Sequence, residues 1–260
     1  NLRKEDKLLL TTTRTEVYNV IKNGFQKIQS QSREFELPTP RFYTQGSYAY
    51  RTLNDPAYPP QQQADLDYGL YLPFETLLES LSPKESAQTY FEIIENILEQ
   101  NGKWKLDSEK NTCIRLLLSP RAHMDIPLYG IPASEFHRMM EARAQKQLHI
   151  NNNIASLNPT CIHLALRDGS WKPSDPKLIT DWVDATCAEY GTSNSIRTIC
   201  RYLKAWRDET WPDGRGPSSI FLLACTLEHY DQVSDKHHEL LHAVISSLPS
   251  LVSRAIQVSS

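Results

Sequence analysis

The chain has 260 residues, 40% hydrophobic and 23% charged, with a formal net charge of −3. That size suits one large domain or two small ones, and the slightly acidic balance argues against a protein that tracks long nucleic acid, which would carry a basic surface. No stretch approaches the roughly 18 apolar residues of a membrane span, residues 1–6 lack a signal-peptide core, and the five cysteines (Cys113, Cys161, Cys187, Cys200, Cys225) form no Cys-x-x-Cys pair; reduced thiols, a cytoplasmic setting and no membrane partner are expected.

Val17, Val20, Ile21, Phe25 and Ile28 recur at three and four residues, so the first element is an amphipathic helix, stopped by Pro38 and Pro40. Residues 41–47 are an aromatic, strand-like run ending at Gly46. A loop rich in proline (Pro56, Pro59, Pro60) covers 54–63, and the alternation over 66–72 predicts a strand closed by Pro73. Ser82-Pro83-Lys84-Glu85 is a capping box for a second helix whose buried face is Tyr90, Ile94, Ile97 and Leu98 and whose end is Gly102. Strands are expected over 113–118 and 123–129. From about Ser134 the pattern is mostly helical, with an apolar stripe of Ile196, Ile199, Cys200, Leu203 and Trp206 and further helices over 219–230 and 239–251. This places a strand-rich catalytic lobe at 1–135 and a helical lobe at 136–260, with a soft boundary near 134–158.

The chemistry concentrates in a few positions. Asp65 and Asp67 lie two apart in a predicted strand, so both carboxylates share a face. Such neighbours repel unless a divalent cation sits between them. Asp125 stands in an otherwise apolar strand, where an acid is costly unless paired or metal-bound. Three carboxylates on neighbouring strands can hold two Mg²⁺ ions about 3.5–4 Å apart, with Mn²⁺ as an alternative. Gly46 and Ser47 supply a turn where backbone amides and a hydroxyl can approach phosphate. A lone Gly-Ser or Asp-x-Asp means little; the order of strand, Gly-Ser, loop, Asp-x-Asp strand, helix and single Asp on a later strand is the informative feature.

That order resembles the polymerase-β-like nucleotidyltransferases. Longer blocks resemble the DncV-like cyclic-dinucleotide synthases of the bacterial cGAS/DncV-like family: Pro40 to Thr52, Asp65 to Pro73, Asp125 to Tyr129, Ser174 to Lys177, Lys204 to Asp208 and Gly216 to Ser219. The resemblance implies an α+β fold, a mixed sheet with helices plus a helical second lobe, and an active site in the cleft between them. It implies Asp65, Asp67 and Asp125 as catalytic metal ligands. Gln45, Gly46, Ser47 and Tyr50 match donor-triphosphate positions, and Arg115, Ser174, Lys204, Ser218 and Ser219 match nucleotide-contacting blocks. It further implies ATP and GTP as substrates joined into a cyclic dinucleotide, an effector activated by that product, and a role in anti-phage defence. Members extend past the equivalent of Ser260, so a truncated C-terminus is expected, and in related systems a ubiquitin-ligase-like partner acts on the missing tail. The segment between Arg143 and Cys161 is shorter than in those relatives.

Other readings compete. Arg197, Arg201 and Lys204 share a helix face, and the first two fit a solvated basic stripe. Arg115 could equally be buried beside a carboxylate, and Tyr50 could pack or stack on a base. His123 shares a face with Asp125, but metals should do the proton work, so no catalytic role is assigned to it. His238-Glu239-Leu240-Leu241-His242 fits the His-Glu-x-x-His zinc pattern, yet residues 243–260 contain no His, Asp, Glu or Cys to complete a site. A nucleotidyltransferase acting on RNA, protein or a drug, and an inactive nucleotide sensor, are the remaining alternatives.

Overall fold

The computed structural model describes residues 2–31, 39–73, 82–137, 162–190, 193–230 and 236–258. In chain order these form α1 (Lys4–Gln31), β1 (Arg41–Gln45), α2 (Gly46–Ala49), β2 (Ala64–Pro73), α3 (Pro83–Asn101), β3 (Lys105–Asp107), β4 (Ile114–Ser119), β5 (Ala122–Ile126), β6 (Leu128–Ile131), β7 (His163–Ala165), β8 (Trp171–Pro173), α4 (Pro176–Glu189), α5 (Ser193–Thr210), α6 (Ser219–His229) and α7 (His237–Val258).

The local signals work as chemistry predicts. Helix α1 buries Leu10, Val17, Ile21 and Phe25, the three-and-four stripe. It lies so close to α3 that a Cβ at Gly24 would come within 2.6 Å of Ile97 Cγ2. At the start of α3, the Ser82 side chain accepts from the Glu85 amide while the Glu85 carboxylate accepts from the Ser82 amide, and Gly102 ends the helix in the left-handed region at φ 68°.

Strand β2 is the axis of the sheet. One edge takes β1 antiparallel, pairing Gln45 with Asp67. The other edge takes β5 and then β6, both parallel and in one unbroken register. Pro127 separates those two strands because it has no amide to donate, but its carbonyl still accepts from Leu70 N at 2.9 Å. Beyond them, β4 and β3 extend one end of the sheet and β7 and β8 the other. Leu66, Leu70, Leu72, Leu116, Met124 and Ile126 pack against α1 and α3 in the main core. A second core joins Val183, Ile196, Ile199, Leu203, Leu222, Leu227 and Val244 of α4–α7, and Tyr50 inserts into it from the sheet side.

Two details depart from the sequence reading. Strands β7 and β8 lie within the segment read as helical and continue the sheet through β6; at three residues each they are too short to carry a period-two signal. Trp206, assigned to the apolar stripe, is 50% exposed and meets Trp211 edge to face at 5.3 Å, because the core side of α5 ends at Leu203. Pro38, the 143–161 segment and part of the 134–158 boundary lie outside the described residues.

Candidate active site

The parallel register of β2 and β5 sets Asp65 beside His123 and Asp67 beside Asp125. Side chains two apart on each strand share a face, so four polar groups form a small square above an apolar sheet. His123 and Asp125 are 7% and 8% exposed. One ligand atom each from Asp65, His123 and Asp125 lies within 4.8 Å of the others. Asp67 stands outside that group, with its Oδ2 turned toward Gly46. Arg115 reaches Asp125 from β4 with two parallel hydrogen bonds, Nε to Oδ1 and Nη2 to Oδ2, both 2.7 Å.

Burial, then the charges of Asp65 and Asp125, push the Asp67 carboxyl up to about 8, against weaker opposing effects of Arg115 and Lys204. Burial and mutual repulsion that disfavour the charged form of Asp67 are what a bound cation would relieve. Asp65 Oδ1 and His123 Nε2 are buried without a hydrogen-bond partner among the described residues, although they lie 3.2 Å apart. The carboxylate donor set and the orphaned Asp65 Oδ1 fit divalent cations of the Mg²⁺ class.

Gly46 follows β1 at φ 63°, where an L side chain is strained, and a Cβ there would sit 1.9 Å from Asp67 Oδ2. Glycine is therefore required for the turn to close onto the acids. Ser47 Oγ accepts from Lys204 Nζ at 2.8 Å. Lys204 is 4% exposed, and burial first of all lowers its ammonium to about 8. Gln45 is buried with both ends of its amide engaged: Nε2 donates to Tyr71 Oη at 2.6 Å, and Tyr129 Oη donates to Oε1 at 3.1 Å. Gly69 makes room for it, since a Cβ there would fall 2.1 Å from Gln45 Nε2.

Helix α5 is tied to the backbone that follows this turn. Arg197 Nε donates to the Tyr50 carbonyl at 2.9 Å, Arg201 Nη1 to Arg51 at 3.2 Å and Lys204 Nζ to Thr52 at 2.8 Å. The stripe is a ladder of cations on consecutive carbonyls, and the expectation of a solvated stripe for Arg197 and Arg201 is corrected. Arg197 is 8% exposed and also pairs with Asp184. Between the sheet edge and α4–α6 lies a cavity of about 600 Å³ whose walls include Gln45, Gly46, Ser47, Tyr50, Asp65 and Asp67 on one side and Ile179, Lys204, Arg207, Asp208, Ser219, Ile220 and Leu223 on the other.

Comparison with known proteins decides the family. Residues 40–129 match the family described as "Cyclic GMP-AMP synthase DncV-like, nucleotidyltransferase domain", and 193–260 match "Cyclic GMP-AMP synthase, C-terminal domain". The chain belongs to the DncV-like nucleotidyltransferase family. It is 33% identical over 249 residues to a cyclic GMP-AMP synthase of Vibrio cholerae, covering 86% of this chain and 56% of that protein. An Escherichia coli cyclic GMP-AMP synthase is 32% identical over 272 residues, with 96% and 61% covered. The chain thus spans a little over half the length of these curated relatives. A solved structure of the V. cholerae di-nucleotide cyclase in complex with GTP superposes with a TM-score of 0.74 at 30% identity, covering 96% of this chain and 75% of that one. A complex of the same enzyme with the linear intermediate 5′ pppA(3′,5′)pG gives 0.75 at 28% identity, with 96% and 74% covered. The mixed sheet with flanking helices is the core this family membership implies.

Within this DncV-like frame the motif residues divide into those that line the cavity and those that do not. Asp65, Asp67, Gln45, Gly46, Ser47, Tyr50, Lys204 and Ser219 line it. Asp125 pairs with Asp67 across β2 and β5 but is not part of the wall. Arg115 is spent on Asp125. Ser174 hydrogen-bonds Tyr129, and Ser218 caps α6 by accepting from Phe221 N; neither is part of the cavity wall. Ser219 Oγ accepts from Arg207 Nη1 at 2.9 Å. Arg207 and Asp208, an ion pair in the wall, were missed as site residues; membership in the Lys204–Asp208 block was the only available signal. Tyr50 packs, and burial first of all raises its hydroxyl to about 12. The His-Glu-x-x-His segment is exposed, with the His238 side chain at 77% and His242 also exposed. Among the described residues no third ligand joins them. The described cysteines, Cys113, Cys187, Cys200 and Cys225, are buried free thiols, and no described helix is long and apolar enough to cross a membrane.

Proposed function

We propose that this chain is the nucleotidyltransferase part of a cyclic dinucleotide synthase that joins ATP and GTP through 3′–5′ linkages and releases pyrophosphate. The carrying observation is the register that stacks Asp65, Asp67 and Asp125 on one sheet face against the Gly46–Ser47 turn. Asp65, Asp67 and Asp125 would hold Mg²⁺, which, when bound, neutralises triphosphate charge and makes a 3′-hydroxyl easier to deprotonate. Gly46 lets the backbone approach a donor triphosphate, while Ser47 Oγ and Lys204 Nζ offer it a hydroxyl and a cation. Ile179, Ile220 and Leu223 supply apolar wall for a base or ribose. The acceptor 3′-oxygen forms a bond to the donor α-phosphorus as the bond to pyrophosphate breaks, and a second such step closes the ring. What the residues contribute is positioning and charge neutralisation.

Support comes from the family, and from the net charge of −3, which disfavours an RNA-extending relative. The same reading carries a role as a messenger producer in anti-phage defence, an effector that responds to the product, and tail attachment by a ubiquitin-ligase-like partner. The test is incubation with all four nucleoside triphosphates and Mg²⁺, then mass spectrometry after phosphatase treatment. A phosphatase-resistant cyclic product of adenine and guanine is expected. Products with a free terminal phosphate, or label transferred to RNA or protein, would overturn the proposal.

A further inference from the structure

His123 is buried beside Asp65 and has no role in the chemistry above. Its surroundings fix the orientation of its ring. Gln63 Nε2 donates to the carbonyls of Ser119 and Pro120 at 3.2 and 3.3 Å. That orients the amide and leaves its oxygen 2.9 Å from His123 Nδ1. An amide oxygen only accepts, so Nδ1 carries a hydrogen and Nε2 is the ring nitrogen left facing the acids. Nε2 lies 3.2 Å from Asp65 Oδ1, and both atoms are buried without a hydrogen-bond partner among the described residues. Two buried polar atoms left without a hydrogen bond are costly, and a cation between them would satisfy both. A carboxylate oxygen of Asp125 completes a group within 4.8 Å. Two of the three ligands also have an orienting partner behind them, Gln63 for His123 and Arg115 for Asp125, the arrangement that typically fixes metal-binding side chains.

We propose that His123 Nε2 is a nitrogen ligand of a cation held with Asp65 and Asp125, and that it makes this site favour transition-series divalent cations such as Mn²⁺ and Co²⁺ over Mg²⁺. Imidazole is a poor donor for Mg²⁺, which prefers oxygen and keeps its waters, and a better one along the first transition row. The inference rests on reading the aspartates as cation ligands. It also means that the site holds Mn²⁺ before any nucleotide phosphate arrives, because three protein ligands already converge.

The test uses the nucleotide-free chain and Mn²⁺ as probe. Binding is measured by loss of the free Mn²⁺ electron paramagnetic resonance signal, and ligation by ¹⁴N coupling to bound Mn²⁺, which needs no variant. A ¹⁴N coupling is expected in the parent. Its loss is expected in His123→Ala and His123→Gln, with Mn²⁺ affinity lowered tenfold or more and Mg²⁺ affinity, measured by competition, changed less than threefold. Bound Mn²⁺ without ¹⁴N coupling, or unchanged Mn²⁺ affinity in both variants, would overturn the proposal while leaving the aspartate site intact. Failure of the underlying reading looks different: Asp65→Asn and Asp125→Asn would then bind Mn²⁺ like the parent.

Discussion

Replacing Gly46 by alanine tests the proposed phosphate seat separately from the rest of the fold. At φ 63° an L residue costs roughly 1–2 kcal/mol. In a chain of this size each kcal/mol lowers the melting temperature by about 2–4 °C, so a drop of a few degrees is expected. The local effect is larger. The new Cβ would lie 1.9 Å from Asp67 Oδ2, whereas real contacts stay beyond 3.0 Å, so the carboxylate or the turn must move by about 1 Å. Displacement of that size at a reacting centre costs on the order of 10²-fold in rate. Pyrophosphate release from ATP plus GTP with Mg²⁺ should therefore fall about a hundredfold in Gly46→Ala while the chain remains folded by thermal melt. Turnover within threefold of the parent would show that the close approach of Gly46 to Asp67 is not needed, and the positional argument would be wrong.

Asp67→Asn should lower turnover by about 10³-fold yet stabilise the metal-free chain at high pH. The folded state keeps the Asp67 proton up to about 8, whereas an unfolded aspartate releases it near 4, so parent stability declines as pH rises through that window. Chemical denaturation without metal at pH 5, 7 and 8.5 should show this slope in the parent and its reduction in Asp67→Asn. For the same reason Mg²⁺ and the proton compete, and calorimetric Mg²⁺ affinity should rise with pH up to about 8 and then level off. Arg197→Ala removes a buried donor from the Tyr50 carbonyl and from Asp184; a loss of about 1–3 kcal/mol is expected, with a raised KM for nucleotides as the Tyr50–Thr52 backbone loosens. His238→Ala and His242→Ala should leave zinc content and turnover unchanged, since both side chains are exposed; metal analysis and the same turnover assay check this.

Sequence alone determined what depends on neighbours within a few residues. The Ser82–Glu85 box, the left-handed Gly102, the shared face of Asp65 and Asp67 and the shared face of Arg197, Arg201 and Lys204 all follow from periodicity and local hydrogen bonding. Spacing and the order of the motifs also singled out the candidate acids, and the family-level blocks added the roles they imply. Tertiary structure decided which faces meet. Spacing shows that His123 and Asp125 point the same way, but only the parallel pairing of β5 with β2 sets His123 against Asp65 and Asp125 against Asp67. Periodicity made the stripe on α5 basic, yet its partners, the carbonyls of Tyr50, Arg51 and Thr52, come from a loop far away in the chain. Strands β7 and β8 exist because β6 offers an edge to pair with, not because three residues prefer to be extended. Local spacing fixes direction at the cost of a few dihedral angles, whereas the partner at the end of that direction is chosen by the packing of the whole core.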